Sequence, residues 1–171
     1  MPNSHVFTGL DGSITVAVET GVEGDAAKAV NDIYVLTPIG RATGVTVEVT
    51  SDIRPFHEMG QRYASELRSG NVFVRGTIGR AHVNGALLKL MLGEGGSGSL
   101  PENGVFVSPT FNLSLRMENA AFPGNSSAIS VHGVKLDRWT LTMPEDDFVM
   151  EDVGFQARWI GAEDAEAAPA G

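Results

Sequence analysis

The sequence predicts a mainly β protein, two antiparallel sheets forming a sandwich or barrel with one short flanking helix at about residues 84–92. Three observations carry this expectation. Apolar and polar residues alternate with period two over most of the chain, the pattern of strands with one buried face. Glycine occurs 21 times in 171 residues, enough to turn the chain often. Cysteine is absent, so packed side chains must hold the fold without disulfides or thiolate metal sites, and a chain of this length can supply such a core.

Taken in order, Ile14, Val16 and Val18 alternate with Thr15, Ala17 and Glu19, and Val45, Val47 and Val49 with Thr46, Glu48 and Thr50. Between these strands, the glycine and small residues near 21–29 read as a loop. In IRPFHEMGQRYASELRSG, Phe56, Met59, Tyr63 and Leu67 recur at spacings of three and four. Pro55 and Gly60 interrupt that stripe, so residues 53–70 are expected as an ordered loop with a helical turn. From Gly70, a long strand follows, with Val72, Val74, Gly76 and Ile78 on one parity and Phe73, Arg75, Thr77 and Gly79 on the other. Gly76 and Gly79 mark close backbone approach.

Asn84 as N-cap, Leu87, Leu88, Leu90, Met91 and Leu92 as apolar body and Gly93 as C-cap define the helix. Residues 93–104 read as a flexible loop. After the strand carrying Phe111, Leu113, Leu115 and Met117, the apolar set between Ile129 and Met143 changes parity twice. Two bulges are therefore expected, the first at Gly133. A last strand carries Val153, Phe155, Ala157 and Trp159, and the acidic residues 161–171 read as a disordered tail to a single domain spanning 1–160.

A search for chemistry finds little. Gly93 to Gly98 matches GxGxxG but follows a helix and opens none, so no helix N-terminus meets a phosphate there. His5, His57, His82 and His132 have no neighbours at metal-ligand spacing. Glu145, Asp146, Asp147, Glu151 and Asp152 lack the alternation and turn glycine of a calcium loop and read as a solvated negative turn. No nucleophile has an identifiable base, so neither an enzyme nor a cofactor or metal is expected. A net charge of −9 disfavours nucleic-acid binding. No apolar run is long enough for a membrane helix, and the start MPNSHVFTG lacks signal-peptide features, so synthesis and retention in a cytoplasm are expected.

The segment Ser51–Gly93 resembles the central part of phage tail tube proteins. It carries an I-x-P-F-x-E-x-G-x-R loop, a G-N-x-x-V-x-G-T-I-x-R-A strand and a short helix. MEDVGFQARWI, Met150–Ile160, resembles the closing strand of that family. The resemblance implies a structural subunit that forms hexameric rings stacked as a tail tube in a virion, made in the host cytoplasm, with DNA passing through unbound. It implies partners among tape-measure, baseplate, terminator and, in a contractile tail, sheath proteins. Residues 1–10 would then be an N-terminal arm, 53–70 an inter-subunit loop with Phe56, Met59, Tyr63 and Leu67 as its contacts, and Leu87 to Leu92 the flanking helix. A negative lining would keep phosphates mobile within a Debye length of about 8 Å. Glu48, Glu118 and Glu19 are the acids on polar strand faces that would serve, facing either the lumen or the outside water. A β-barrel carrier of a small ligand, a tail terminator and a capsid decoration protein are the competing readings.

Overall fold

The computed structural model describes residues 5–35, 39, 41–93, 98, 100 and 107–165. In chain order its elements are β1 (Gly12–Val18), α1 (Val22–Tyr34), β2 (Ala42–Phe56), β3 (Glu66–Ala81), α2 (Ala86–Leu92), β4 (Phe111–Glu118), β5 (Ser126–Thr142), β6 (Met150–Ala157) and β7 (Trp159–Ala165). The strands are antiparallel in the order β1-β4-β5-β6-β3-β2, with β7 on the other side of β5 from β4. The mainly β expectation holds: two sheets share β5, whose first half pairs with β4 and β7 and whose second half pairs with β6.

β5 can serve both sheets because it bends where the alternation breaks. Phe111 faces Val134 and Leu113 faces Val131, so His132 and Gly133 stand against Asn112 alone. Gly133 takes φ +65, and its N–H donates to Asn112 Oδ1 and Glu19 Oε1, each at 3.1 Å. The second break leaves Asp137 unopposed between the pairs Leu136–Phe155 and Arg138–Gly154. On the far side the chain turns the same corner at Arg158, whose N–H donates to His132 O at 2.9 Å. Trp159 then stacks on His132 with ring centroids 3.7 Å apart.

Four expectations need correction. Residues 22–34 form α1, a helix of 13 residues, where a loop was expected. Alanines favour the helix, Ala27 and Val30 are buried on one stripe, and Gly24 is required because a Cβ there would lie 2.1 Å from Glu19 O. Residues 53–70 form the ends of β2 and β3 around a short turn and contain no helical turn, because cross-strand pairing continues as far as Phe56 and Glu66. The closing segment is two strands, and residues 161–165 of the expected tail belong to the second, β7, which pairs with β5, with Gly161 facing Ser130 and Ala162 facing Ile129. Finally, α2 begins at Ala86, two residues late; Asn84 acts just outside it, its Oδ1 accepting from Ala86 N at 3.2 Å. Gly93 ends α2 at φ +59, as its position predicts. The remainder of 93–104 lies outside the described residues, apart from Gly98 and Leu100, as do 1–4 of the expected N-terminal arm and 166–171.

Leu87 and Leu90 of α2 are buried with Ile78, Phe111, Leu113, Val131, Val134, Val153 and Phe155 in one core between the sheets and under the helices. α1 is tied to β5 by Glu23, whose carboxylate accepts from Lys135 Nζ at 3.0 Å and Thr110 Oγ1 at 2.9 Å. Those two bonds hold it below the ordinary carboxylate range. At the base of β3, Arg80 and Glu151 form a buried ion pair. Glu151 also accepts from Trp139 Nε1 at 2.9 Å, and Arg80 Nη2 donates to Asn84 O at 3.2 Å, which joins β3, β5 and β6 to the start of α2. Gly76 has a local role: a Cβ there would lie 2.2 Å from Thr46 O and 2.6 Å from the Phe155 ring.

Three predictions follow from these contacts. Gly76→Ala, which forces Phe155 off the strand, should cost about 1–3 kcal/mol in urea titrations, with an unchanged slope. Glu151→Ala, which strands the buried Arg80 charge, should cost about 3–5 kcal/mol in the same assay. Glu23 gains its ties only as a carboxylate, so wild type should exceed Glu23→Gln in thermal stability fully at neutral pH. That excess should vanish as pH falls through the lowered Glu23 value.

Candidate assembly surfaces

β2 and β3 form a hairpin longer than the sheet that roots it. β6 stops at Ala157, opposite Val74, and beyond that point the pairs from Thr50–Phe73 to Phe56–Glu66 have no strand beside them among the described residues. The hairpin closes through Ser65 N donating to Phe56 O at 2.9 Å, with Gly60 at φ +83 in the turn.

Directly paired residues share a face, so the register assigns both sides of this arm. One side continues the core face of Val45, Val47 and Ile78 outward through Val49, Val72, Ile53 and Leu67. Those four are 50%, 61%, 54% and 69% exposed, an apolar face that no described residue covers. The other side carries Glu48 with Arg75 at 3.4 Å, Asp52 with Arg54 at 3.1 Å and Glu66 with Arg68 at 3.0 Å, together with Phe56 and Phe73.

The four contact candidates therefore share an end of the arm but not a stripe. Leu67 lies on the apolar face, Phe56 on the charged face, and Met59 and Tyr63 in the exposed turn. Their helical spacing carried no helical meaning. The better signal was period two in Ile53 and Pro55 with Leu67 and Ser69.

The three lumen candidates are dispersed. Glu48 lies on the polar face of the second sheet, paired with Arg75. Glu118 ends β4 in the first sheet, bonded to Arg116 at 2.9 Å. Glu19 is spent on the Gly133 corner. The register instead places Asp152 on the face of Glu48, and Asp137 joins it there through a 3.0 Å bond from Gln156 Nε2. Asp152 was legible from its alternation with Glu151 and Val153; Asp137 was hidden because it is the bulge residue.

Other side chains stay apart. His5 stacks on Phe122 and His132 on Trp159, His57 sits in the arm's turn, and His82 Nδ1 lies 3.2 Å from Glu151. Of the acids read as a solvated turn, Glu145, Asp146 and Asp147 are exposed between β5 and β6, whereas Glu151 and Asp152 lie in β6 and Glu151 is fully buried on Arg80, a correction to that reading; no group of residues suited to a metal occurs among the described residues. No helix among them is long and apolar enough to cross a membrane. Among the described residues the second sheet has free edges at β2 and along the second half of β5. Between β1 and β2 the sheets part around a cleft of about 770 Å³.

No protein-family model matches the chain, and no curated protein matches it. Solved structures do. The chain is similar to one in the sheath-tube complex of an extracellular contractile injection system, PVC, in the extended state: TM-score 0.62, 10% identity, covering 94% of this chain and 93% of that one. It is similar to a chain of the PVC sheath/tube terminator at TM-score 0.60 and 9% identity, covering 94% and 98%. Likeness to the SPP1 tail tube has TM-score 0.52 and 12% identity, covering 95% and 80%. At these identities the likeness is one of fold. The chain has the fold of the tube proteins of phage tails and contractile injection systems.

Proposed function

We propose that this chain is a structural tube subunit that forms hexameric rings, stacked into the tail tube of a virion or a related injection particle. The observation that carries the reading is the arm: an apolar sheet face from Val49 to Leu67 that no described residue packs over. Apolar faces of this kind mark interaction sites. The free edges support it, since β2 of one copy can pair with the second half of β5 in the next, and a head-to-tail contact of that kind closes into a ring. In such a ring the polar face carrying Glu48, Asp137 and Asp152 lines the lumen, and DNA or another anionic cargo passes without specific binding. Its partners are other copies of itself and other tail components, namely tape-measure, baseplate and terminator proteins and a sheath where the tail contracts. Synthesis is in the host cytoplasm, and no catalytic role is assigned.

A second reading, the tube terminator, is favoured by the TM-score of 0.60 to a terminator chain, close to the 0.62 for the sheath-tube complex. The two differ in growth. A tube subunit extends preformed tubes seen by negative-stain microscopy, whereas a terminator stops them with one ring.

Ile53→Asp with Leu67→Asp should abolish rings and tubes in light scattering while shifting the melting temperature by no more than a few degrees, because both side chains are exposed in the monomer. An unfolded double variant would place these residues in a core instead. Glu48→Lys should assemble normally yet slow genome or cargo delivery in a particle assay; unimpaired delivery would remove Glu48 from the lining.

A further inference from the structure

Directly paired residues share a face, so the register assigns the polar side of the second sheet strand by strand. One row runs Glu48–Arg75–Gln156–Lys135, the next Thr46–Thr77–Gly154–Arg138, and a third joins Gly79, Asp152 and Thr140. Asp137, the bulge residue, meets this face through Gln156.

Bases stand among the acids. Glu48 lies 3.4 Å from Arg75, and both side chains are exposed. Asp137 Oδ1 and Arg138 Nε both lie over Gly154, 2.8 and 3.6 Å from the point a Cβ there would occupy. Lys135 is bonded to Glu23 of α1, which leaves Asp152 as the acid of this face without a base among the described residues. Its carboxylate is laid on the sheet: Oδ1 and the Thr43 hydroxyl lie 2.9 and 3.2 Å from the point a Cβ of Gly79 would occupy. Side chains at Gly79 and Gly154 would lift both carboxylates off the backbone. The arm repeats the pairing farther out, with Asp52 on Arg54 and Glu66 on Arg68.

A face of one sign concentrates and holds an oppositely charged chain, and in a ring each uncompensated charge recurs in every subunit. Opposite charges set closer than the Debye length of about 8 Å cancel beyond their own span. The net charge of −9 is for that reason a poor guide to this surface.

We infer that the lumen lining is charge-compensated, with Arg75 and Arg138 as the residues that offset Glu48 and Asp137, so that cargo chains of either sign pass. The inference rests on the tube reading, with this face as the lining, and names what the cargo meets there.

Tubes of the full-length chain are soaked at low salt with dye-labelled oligolysine or oligoglutamate of equal length, pelleted, and followed as they release the probe. Escape from a lumen slows with tube length and escape from the outer wall does not, so long and sonicated tubes are compared. Wild-type tubes should release the two probes at rates within about twofold of each other, both faster after sonication. Arg75→Gln with Arg138→Gln should hold oligolysine at least about fivefold longer. Both arginines are exposed, so their loss leaves the fold intact. Adding Glu48→Gln and Asp137→Asn to that pair should restore wild-type release.

Wild-type tubes that hold oligolysine as long as the double variant would overturn compensation. So would a double variant that releases both probes as wild type does. Variant effects of equal size in long and sonicated tubes would put this face on the outer wall and keep the tube subunit; a chain that forms no tubes would overturn the tube reading itself, and the lumen with it.

Discussion

The architecture depends on one backbone position. At Gly133 the chain takes a left-handed φ that a side chain would resist, and two acceptors from different parts of the first sheet, Asn112 and Glu19, converge on its N–H. This corner lets one strand belong to two sheets. A straight β5 would leave β4 and β6 in a single flat layer, with Val131 and Phe155 unable to bury against a common core. The segment joining β6 to β7 follows the same bend at Arg158, so the corner is made by both neighbouring strands. The two outer strands, β1 and β2, consequently face each other across a gap without pairing.

The arm depends on what anchors its root. Buried ion pairs are weak contributors to stability, because desolvation offsets their attraction, but they are strict about geometry. Arg80 and Glu151 are each bonded twice or more, to each other, to Trp139 and to Asn84, and so fix the base of β3 against β5, β6 and α2. Phe155 seated over Gly76 fixes its middle. With base and middle held, the distal part keeps its direction without packing of its own, which an inter-subunit element needs if binding is not to carry the cost of ordering it.

Period two made most of this legible from sequence. It located the strands, both bulges of β5 and the apolar side of the hairpin's root, because each depends on local alternation between solvent and core. It failed where two periods coexist: Phe56, Met59, Tyr63 and Leu67 fit a helical stripe by chance while their neighbours pair across a hairpin. It failed again at α1, whose alanines and Gly24 look like loop residues until Glu19 O is known to press on them. The acids of the polar face were half visible for the same reason. Asp152 alternates with Glu151 and Val153, but Asp137 sits where the register slips and only the β5–β6 ladder reveals its side.

An arm with open edges and a bare apolar face should aggregate indiscriminately, and its sequence shows what restrains it. Pro55 removes a backbone donor from the β2 edge near the tip. A bulge at Gly70 and Asn71, where one extra residue stands between the pairs Ser51–Val72 and Ile53–Ser69, twists the distal ladder away from a flat template. Asp52, Arg54, Glu66 and Arg68 crowd one face with charges already paired locally, so a random strand gains no ion pair there and must desolvate four side chains. Only a partner that takes the apolar face and leaves the charged one in water binds without that penalty. The arm thus discriminates by making wrong approaches expensive, and the alternation that identified it as a strand also makes it selective.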